Sequence, residues 1–241
     1  GKADAFVVLS SDFKNVLRDW GVVQPIYLGT TVVDESLLEG FSLATKVAAM
    51  QQAERVNILF LSRLERDKGV FETVDAICEL LRNNLPVTLS IAGDGTVMDE
   101  LRHYIDAQNI PVGAIRLLGY VHGPEKQAAF AENHIFCFPT SYGEGLPTTV
   151  LEAMAFGMPV VTCPVGGIQD FFVDGQMGRL VAGRDPAALV RALEEFVLDR
   201  ALLIDTGRFN HQHAQKHFLA ARMAETIHAI YASLTDGDNP A

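Results

Sequence analysis

Two glutamates with seven residues between them carry the clearest chemical signal in this sequence. Glu144 lies in a loop between two glycines, and Glu152 lies in the helical pattern that follows. A carboxylate makes strong paired hydrogen bonds to neighbouring hydroxyl groups. Glu152 is therefore suited to hold a ribose, and Glu144 is suited to hold a hexose at the far end of the same ligand. Two simpler interpretations stay open: Glu144 would complement a helix dipole, and Glu152 would be a solvated helix residue.

The stretch between the two glutamates predicts a phosphate site. Gly145 lets the backbone approach a ligand closely, and Pro147 suits the first position of a helix. The free N–H groups of that first turn, together with the helix dipole, favour a bound anion. We expect a diphosphate to lie on Gly145, Leu146 and the helix start at Pro147 and Thr148.

A pair of cations predicts a second grip on the same diphosphate. Arg63 and Lys68 follow an apolar run, with four residues between them across a strand-to-helix turn. Arg supplies a planar fork of donors, whereas Lys supplies a compact charge. Taken alone, the two residues have a simpler explanation as solvated loop charges.

Two further turns follow predicted strands. The Gly93-Asp94-Gly95 turn lacks the third glycine of a dinucleotide fingerprint, because position 98 is Met98. We interpret this stretch as a tight turn that starts a helix at Thr96. The strand that ends near Val121 offers backbone groups that could face a nucleobase.

These turns need a scaffold of alternating strands and helices. Apolar runs predict buried strands at residues 56–64, 87–92, 115–121, 134–139, 159–163 and 179–182. Segments with helical spacing separate the runs, which predicts a doubly wound, Rossmann-like α/β domain with a parallel sheet. Such sheets bind ligands at the carboxyl ends of their strands, where the turns above lie.

The two ends of the chain have their own patterns. Residues 6–20 predict one strand and one capped helix, and a short strand follows at residues 26–28. Residues 34–54 predict a connecting segment. Residues 213–234 predict a single helix, followed by a tail that should fray.

Composition narrows the classes of function. The formal net charge of −11 argues against affinity for nucleic acid, and hydrophobic residues make up 49% of the chain, as in globular proteins. Three scattered cysteines indicate reduced thiols in a cytoplasmic protein. No apolar run approaches the ~18 residues of a transmembrane segment. Histidines 211, 213 and 217 have no nearby cysteine, so we expect solvated side chains and no metal site.

In this order along the chain, the motifs resemble those of a known enzyme family. The segment EGLPTTVLEAMAFGMPVV, residues 144–161, is similar to the two-glutamate segment of group-1 retaining glycosyltransferases with the GT-B fold. Arg63 and Lys68 match that family's diphosphate-binding pair. Gly93, Gly119 and Gly166 fall where such chains carry like residues. The resemblance spans about residues 56–181.

The resemblance implies an enzyme that transfers a hexose from a nucleotide sugar, such as a UDP-, GDP- or ADP-hexose, without a cofactor or a metal. The catalytic residues would be Arg63 and Lys68, which neutralise the leaving diphosphate, and Glu144, which orients the sugar hydroxyls. The donor-binding residues would be Arg63, Lys68, Gly93, Val121, Glu144, Gly145, Leu146, Pro147, Thr148 and Glu152.

The resemblance also implies a domain organisation. Members of the family bind the acceptor in an N-terminal domain, of which this sequence carries what resembles the last βα unit. We therefore predict the end of that domain and a linker in residues 1–50, a donor-binding domain in residues 51–212, and a helix with a tail in residues 213–241. The expected partners are the donor and an unidentified sugar, lipid or polysaccharide acceptor. The chain alone is expected to transfer little sugar. The expected location is the cytoplasm or the cytoplasmic face of the membrane.

Two alternatives remain open at this point. One is an isomerase on the same scaffold, similar to sugar-nucleotide epimerases, and the other is a non-catalytic nucleotide-binding module. The joint presence of Arg63, Lys68, Glu144 and Glu152 argues against both.

Overall fold

The computed structural model describes residues 3–143, 145–181 and 185–235, and it confirms the predicted α/β class. The strands are β1 (Phe6–Val8), β2 (Ile26–Leu28), β3 (Val56–Leu61), β4 (Val87–Ala92), β5 (Ile115–Gly119), β6 (Ile135–Phe138), β7 (Val160–Thr162) and β8 (Gly178–Leu180). The α-helices are α1 (Ser11–Asp19), α2 (Leu43–Gln52), α3 (Val70–Arg82), α4 (Met98–Asp106), α5 (Gly123–Glu132), α6 (Thr148–Ala155), α7 (Ile168–Phe171), α8 (Pro186–Leu198), α9 (Arg200–His217) and α10 (Ala220–Thr235). Short 3₁₀ helices span Glu35–Leu38 and Arg66–Lys68.

The larger sheet has the strand order of a dinucleotide-binding fold. Six parallel strands lie in the order β5-β4-β3-β6-β7-β8, which reads 3-2-1-4-5-6 when counted from β3. The order reverses between β3 and β6. Connections from these two strands lead away in opposite directions, so a crevice opens at their carboxyl ends.

Burial explains why the apolar runs form this sheet. The central strands β3, β4, β6 and β7 are buried at nearly every position, which shows that helices cover both faces. The edge strand β5 alternates between half-buried and exposed residues, as expected of a strand with one face exposed to solvent. Helix α3 packs against α8, and both α2 and α6 pack against α9.

The N-terminal elements form a separate small sheet. Strands β1 and β2 pair in parallel, and α1 connects them. The side chain of Ser10 caps α1 by accepting a hydrogen bond of 3.2 Å from the backbone N–H of Phe13. The strand, the capped helix and the second strand therefore lie where the sequence predicts them.

Residues 34–54 are more structured than predicted. They contain the 3₁₀ helix Glu35–Leu38 and the helix α2, neither of which the sequence analysis predicted. Ser42 caps α2 by accepting a hydrogen bond from the N–H of Thr45. Val47 and Met50 lie on one face of α2 and are buried in the core.

The predicted single helix at residues 213–234 is also wrong, because α9 ends at His217 and α10 begins at Ala220. Phe218 is buried between them against the ring of Phe171. Its carbonyl accepts a hydrogen bond of 2.8 Å from the N–H of Val33, which diverts the backbone from the helix. The tail predicted to fray lies outside the described residues, as does the end of the predicted strand 179–182.

Two glycines allow α6 and α9 to approach closely. Gly157, just after α6, has a left-handed φ of 68°, which a residue with a side chain adopts only with strain. A Cβ atom on Gly207, inside α9, would lie 2.3 Å from the carbonyl oxygen of Gly157. The position of α6, which carries Glu152, therefore depends on the absence of a side chain in α9.

We expect Gly207→Ala to lower the free energy of unfolding by about 1–3 kcal/mol through overpacking. The loss should appear even though Ala is favoured over Gly in a helix interior by about 1 kcal/mol. Urea denaturation followed by circular dichroism measures the change. Gln212→Ala, at an exposed position of the same helix, should stay within about 0.5 kcal/mol of the original protein. A variant at position 207 as stable as the original would contradict the packing argument.

Candidate functional site

A single cleft at the carboxyl edge of the large sheet collects most of the predicted site residues. It has a volume of about 870 Å³. The predicted residues that line it are Arg63, Lys68, Gly93, Val121, Pro147, Thr148 and Glu152. Glu144 lies outside the described residues. The walls come from the ends of β3, β4, β5 and β6, so the cleft occupies the crevice beside the reversal of strand order.

The two predicted cations enter this cleft in different ways. The Arg63 side chain is exposed and lines the cleft just after β3. Lys68 is only 4% exposed, and its ammonium lies 3.9 Å from the centre of the Tyr142 ring. An ammonium over an aromatic face is stabilised by the ring quadrupole. Lys68 is thus a buried residue in the wall of the cleft, and its interpretation as a solvated loop charge is wrong.

Gly69 and the loop after β6 set the position of Lys68. Gly69 has a left-handed φ of 83°, and a Cβ atom there would lie 2.4 Å from the carbonyl oxygen of Pro139. The carbonyl of Asp67 accepts a hydrogen bond of 2.8 Å from the N–H of Ser141. These contacts tie the loop that carries the cations to the loop that precedes α6.

The glycine turn after β4 is bound to the same loop after β3. A Cβ atom on Gly93 would lie 1.8 Å from the carbonyl oxygen of Ser62. Gly93 also lines the cleft. The N–H of Leu64 donates to the carbonyl of Asp94 at 2.9 Å. The tight turn is confirmed, but α4 begins at Met98, two residues later than predicted.

The start of α6 faces the cleft through Pro147 and Thr148. No side chain among the described residues caps this helix start, so its first N–H groups are open to a ligand. Leu146 is buried and does not line the cleft, and Gly145 lies against Leu9 of the N-terminal unit. The predicted phosphate contacts of Gly145 and Leu146 therefore stay predictions.

Glu152 is, together with Lys68, one of the two buried charged groups among the described residues that line the cleft. The residue is 4% exposed, so its interpretation as a solvated helix residue is wrong. Its Oε1 accepts a hydrogen bond of 2.7 Å from the Nζ of Lys126 on α5. Its Oε2 is buried and has no hydrogen-bond partner among the described residues. Burial raises the pKa of the Glu152 carboxyl, and the hydrogen bond and charge of Lys126 oppose that rise.

Three lining residues escaped the sequence-based prediction. Lys126 lies on α5, where no motif marks it. Asp34 accepts a hydrogen bond of 2.9 Å from the N–H of Ser36, and hydrogen bonding to the side chain and to the backbone of Ser36 lowers the pKa of its carboxyl. Tyr120 is 74% exposed and stacks on His122 with 6.0 Å between ring centres. The partly apolar end of the strand before position 122 is the sequence feature from which the exposed ring of Tyr120 could have been predicted.

Potential metal ligands do not gather in the part of the chain that the structure describes, where no group of three His, Cys, Asp or Glu could hold an ion. His213 stacks on Phe209 and touches His217, so it is half-buried against aromatic rings rather than solvated as predicted. The described helices also include none that is long and apolar enough to cross a membrane.

The raised pKa of Glu152 makes a prediction about stability. A carboxyl with a raised pKa in the folded protein favours folding below its ordinary value of 4.5, and this contribution is lost as the pH rises through the raised pKa. The free energy of unfolding, relative to Glu152→Gln, should therefore fall as the pH rises from 4.5 towards neutrality. Urea denaturation at a series of pH values measures the difference.

The control for this prediction is Glu54→Gln, which removes one negative charge at an exposed position. A difference that instead grows in favour of the original protein with rising pH would show that Lys126 outweighs burial, and the stated direction would be wrong.

Comparisons with known proteins agree with this geometry. A family profile described as "Glycosyl transferases group 1" matches residues 55–199. Glycogen synthase of Mycobacterium tuberculosis is 30% identical over 181 residues, which cover 75% of this chain and 43% of that protein. The lipopolysaccharide core biosynthesis mannosyltransferase LpcC of Rhizobium leguminosarum is 32% identical over 182 residues, covering 73% of this chain and 50% of that protein. The chain thus spans half or less of the length of these curated relatives.

Solved structures share the fold at lower identity. HepE of Anabaena, solved in complex with UDP and glucose, superposes with a TM-score of 0.80 at 19% identity, covering 96% of this chain and 63% of that one. Sucrose-phosphate synthase from Thermosynechococcus elongatus gives a TM-score of 0.77 at 21% identity, covering 98% of this chain and 60% of that one. The matched profile, the curated relatives and the parallel sheet agree: this chain belongs to the group 1 glycosyltransferases, and its fold is the Rossmann-like half of the GT-B architecture.

Proposed function

We propose that this chain binds a nucleotide-sugar donor for the retaining transfer of a hexose, and that the acceptor is bound by a part of the protein outside this chain. One observation carries the proposal: a single cleft brings the cations Arg63 and Lys68 together with a buried carboxylate whose second oxygen has no partner among the described residues. Phosphate and hydroxyl groups on one ligand satisfy both features.

The ribose of the donor binds to Glu152 in this proposal. A buried carboxylate oxygen without a hydrogen-bond donor is costly, because it has lost its water without replacement. A ligand hydroxyl would supply the donor. A pair of adjacent hydroxyls fits best, since the lone pairs of a carboxylate accept two hydrogen bonds side by side.

The diphosphate lies between Arg63, Lys68 and the start of α6. Positive charge on two side chains and on the N-terminal end of a helix dipole converges there. Charge develops on the leaving diphosphate as the glycosidic bond breaks, and fixed cations in a cleft stabilise that charge. Since Lys68 is buried against Tyr142, little reorganisation is needed when the charge appears. The chain thus offers neutralising charge of its own, and we propose a reaction without a metal or a cofactor.

The nucleobase lies beside Val121 and Tyr120. Tyr120 lines the cleft and exposes most of its side chain to solvent. An exposed aromatic face can stack on a planar base of any identity. The choice between uracil, guanine and adenine therefore depends on polar contacts around the stacked ring.

The hexose lies on the other side of the diphosphate, where Glu144 is expected to orient its hydroxyls. The description of HepE, which names UDP and glucose as its ligands, supports a hexose donor. The curated relatives carry names of glycosyl- and mannosyltransferases, which supports transfer rather than isomerisation or simple binding.

The acceptor and the cellular location belong to the same proposal. The small sheet of β1 and β2 lies next to the site loop, since a Cβ atom on Gly145 would lie 3.3 Å from the ring of Phe13 and 3.6 Å from the side chain of Leu9. An acceptor-binding part that continues this small sheet would therefore face the hexose. Cys78, Cys137 and Cys163 are buried and form no disulfide bond among the described residues, which supports a cytoplasmic location.

Isothermal titration calorimetry with UDP, GDP, ADP and their hexose conjugates tests the proposal. We expect one nucleotide to bind with a Kd between about 1 μM and 1 mM. Arg63→Ala should weaken that binding by about 1.5–3 kcal/mol, because a charge-assisted hydrogen bond to phosphate is lost. Glu152→Gln should also weaken it.

Arg102→Ala, at an exposed position of α4 outside the cleft, is the matched control and should bind as the original protein does. The proposal fails if a folded protein binds none of the nucleotides, or if Arg63→Ala and Arg102→Ala bind equally well.

A further inference from the structure

The ion pair between Lys126 and Glu152 joins two helices across the candidate site. The Nζ of Lys126 lies 2.7 Å from Oε1 of Glu152, and both residues line the cleft. The side chain of Lys126 is 25% exposed, and that of Glu152 is 6% exposed. Solvent thus screens the pair far less than it screens a surface ion pair.

The geometry gives the two oxygens of Glu152 different surroundings. Oε1 is held by Lys126, whereas Oε2 is buried without a partner among the residues that the structure describes. A free carboxylate can rotate and can take up a proton when it is buried. The ammonium of Lys126 restricts both changes, because it holds one oxygen in place and favours the charged form.

Lys126 is itself held in position by its neighbour on α5. The side-chain amide of Gln127 donates to the carbonyl oxygens of Leu37 and Glu39, at 3.0 Å and 2.6 Å. These bonds tie α5 to the 3₁₀ helix Glu35–Leu38 and to the residue after it, and this segment also lines the cleft. The Lys126 ammonium therefore approaches Glu152 from a fixed helix rather than from a loop.

We propose that Lys126 is a positioning residue that keeps Glu152 charged and oriented towards the ribose, and thereby makes the site select ribonucleotides over 2′-deoxyribonucleotides. This inference rests on the proposed function of the same cleft. Lys126 acts through Glu152, since its ammonium already donates to that carboxylate. A hydroxyl missing from the ligand would leave Oε2 unsatisfied, and the affinity should fall accordingly.

The other charged groups around Glu152 leave this task to Lys126. Asp34, from the segment before the 3₁₀ helix, raises the pKa of the Glu152 carboxyl, as burial does. On α9, which packs against α6, the ring of His211 bonds to the carbonyl of Ala155. The further charged or titratable lining residues are Glu39, Arg63, Lys68, Asp94, Tyr120 and His122. Among all described cations, Lys126 is the one in an ion pair with Glu152.

Calorimetry of the best-binding nucleoside diphosphate and its 2′-deoxy analogue, from pH 5.5 to 8.5, tests the inference in Lys126→Met and Lys126→Arg. We expect Lys126→Met to lose about tenfold in affinity for the ribonucleotide near neutral pH, the effect of one hydrogen bond to a charged group. The loss should lessen as the pH rises, because the unpaired carboxyl then ionises. The 2′-deoxy analogue should lose less affinity than the ribonucleotide, because it has one hydroxyl fewer to bond with Glu152. Lys126→Arg should keep the preference for ribose.

A merely structural or phosphate-binding role predicts a different result. Lys126→Met would then weaken both nucleotides equally at every pH, which would overturn the inference. Lys216→Met, at an exposed position of α9, controls for the loss of one positive charge. Thermal unfolding of each variant shows whether it is folded.

A measurement without ligand separates this inference from the proposed function. In ¹³C NMR titrations, the Glu152 carboxyl should titrate at higher pH in Lys126→Met than in the original protein. An unchanged midpoint overturns the role of Lys126, whether or not a nucleotide binds. A shifted midpoint would support the effect of Lys126 on the Glu152 carboxyl. If the protein nevertheless binds no nucleotide, the ribose selectivity is overturned together with the proposed function.

Discussion

Close contact between backbones at the carboxyl end of the sheet is the constraint on which this site depends. The loop after β3 meets the loop after β4 at Gly93 and the loop after β6 at Gly69, at distances that leave no room for a Cβ atom. The first contact lies beside the strand-order reversal, and the second contact spans it. The two glycines therefore allow the three loops to lie close together, so that residues after three separate strands line one cleft.

The electrostatics of the cleft run against those of the whole molecule. The chain has a formal net charge of −11, so its long-range field repels anions. Within the cleft, Arg63, Lys68 and Lys126 face Glu152 and the open N–H groups of α6. At short range and with little water, these local charges outweigh distant ones that salt screens. The proposed binding of an anion would therefore depend on the cleft and not on the charge of the whole surface.

The sequence predicts the sheet and the cations well because both signals are local. A buried strand such as β4 needs only a continuous apolar run, and Arg63 and Lys68 follow such a run directly. Lys126 gives no local signal, since its partner Glu152 is 26 positions away (152 − 126) and only the fold brings them together. Glu152 itself was found, but its burial and its unpaired oxygen depend on how α5 and α6 pack.

The two errors at the level of helices have the same origin in long-range contacts. The periodic pattern of the C-terminal region continues through Phe218, yet a hydrogen bond from Val33 and a ring contact with Phe171 interrupt the helix there. In α2, two buried apolar side chains at a spacing of three were hidden among polar and small residues. In both places, a residue far along the chain decides the local conformation.

The loop between β6 and α6 is held from two sides, which links the small sheet to the candidate site. Its Gly145 carbonyl accepts a hydrogen bond of 2.6 Å from the N–H of Gly167, and a Cβ atom on Gly145 would lie 3.3 Å from the ring of Phe13 on α1. The start of α1 is in turn fixed to α7, because the N–H of Ser11 donates to Asp170 at 2.7 Å. A shift of the small sheet therefore cannot leave this loop unchanged. In a transferase that binds its acceptor on the side of the small sheet, the same contacts would let acceptor binding adjust the loop that is predicted to bind the phosphates.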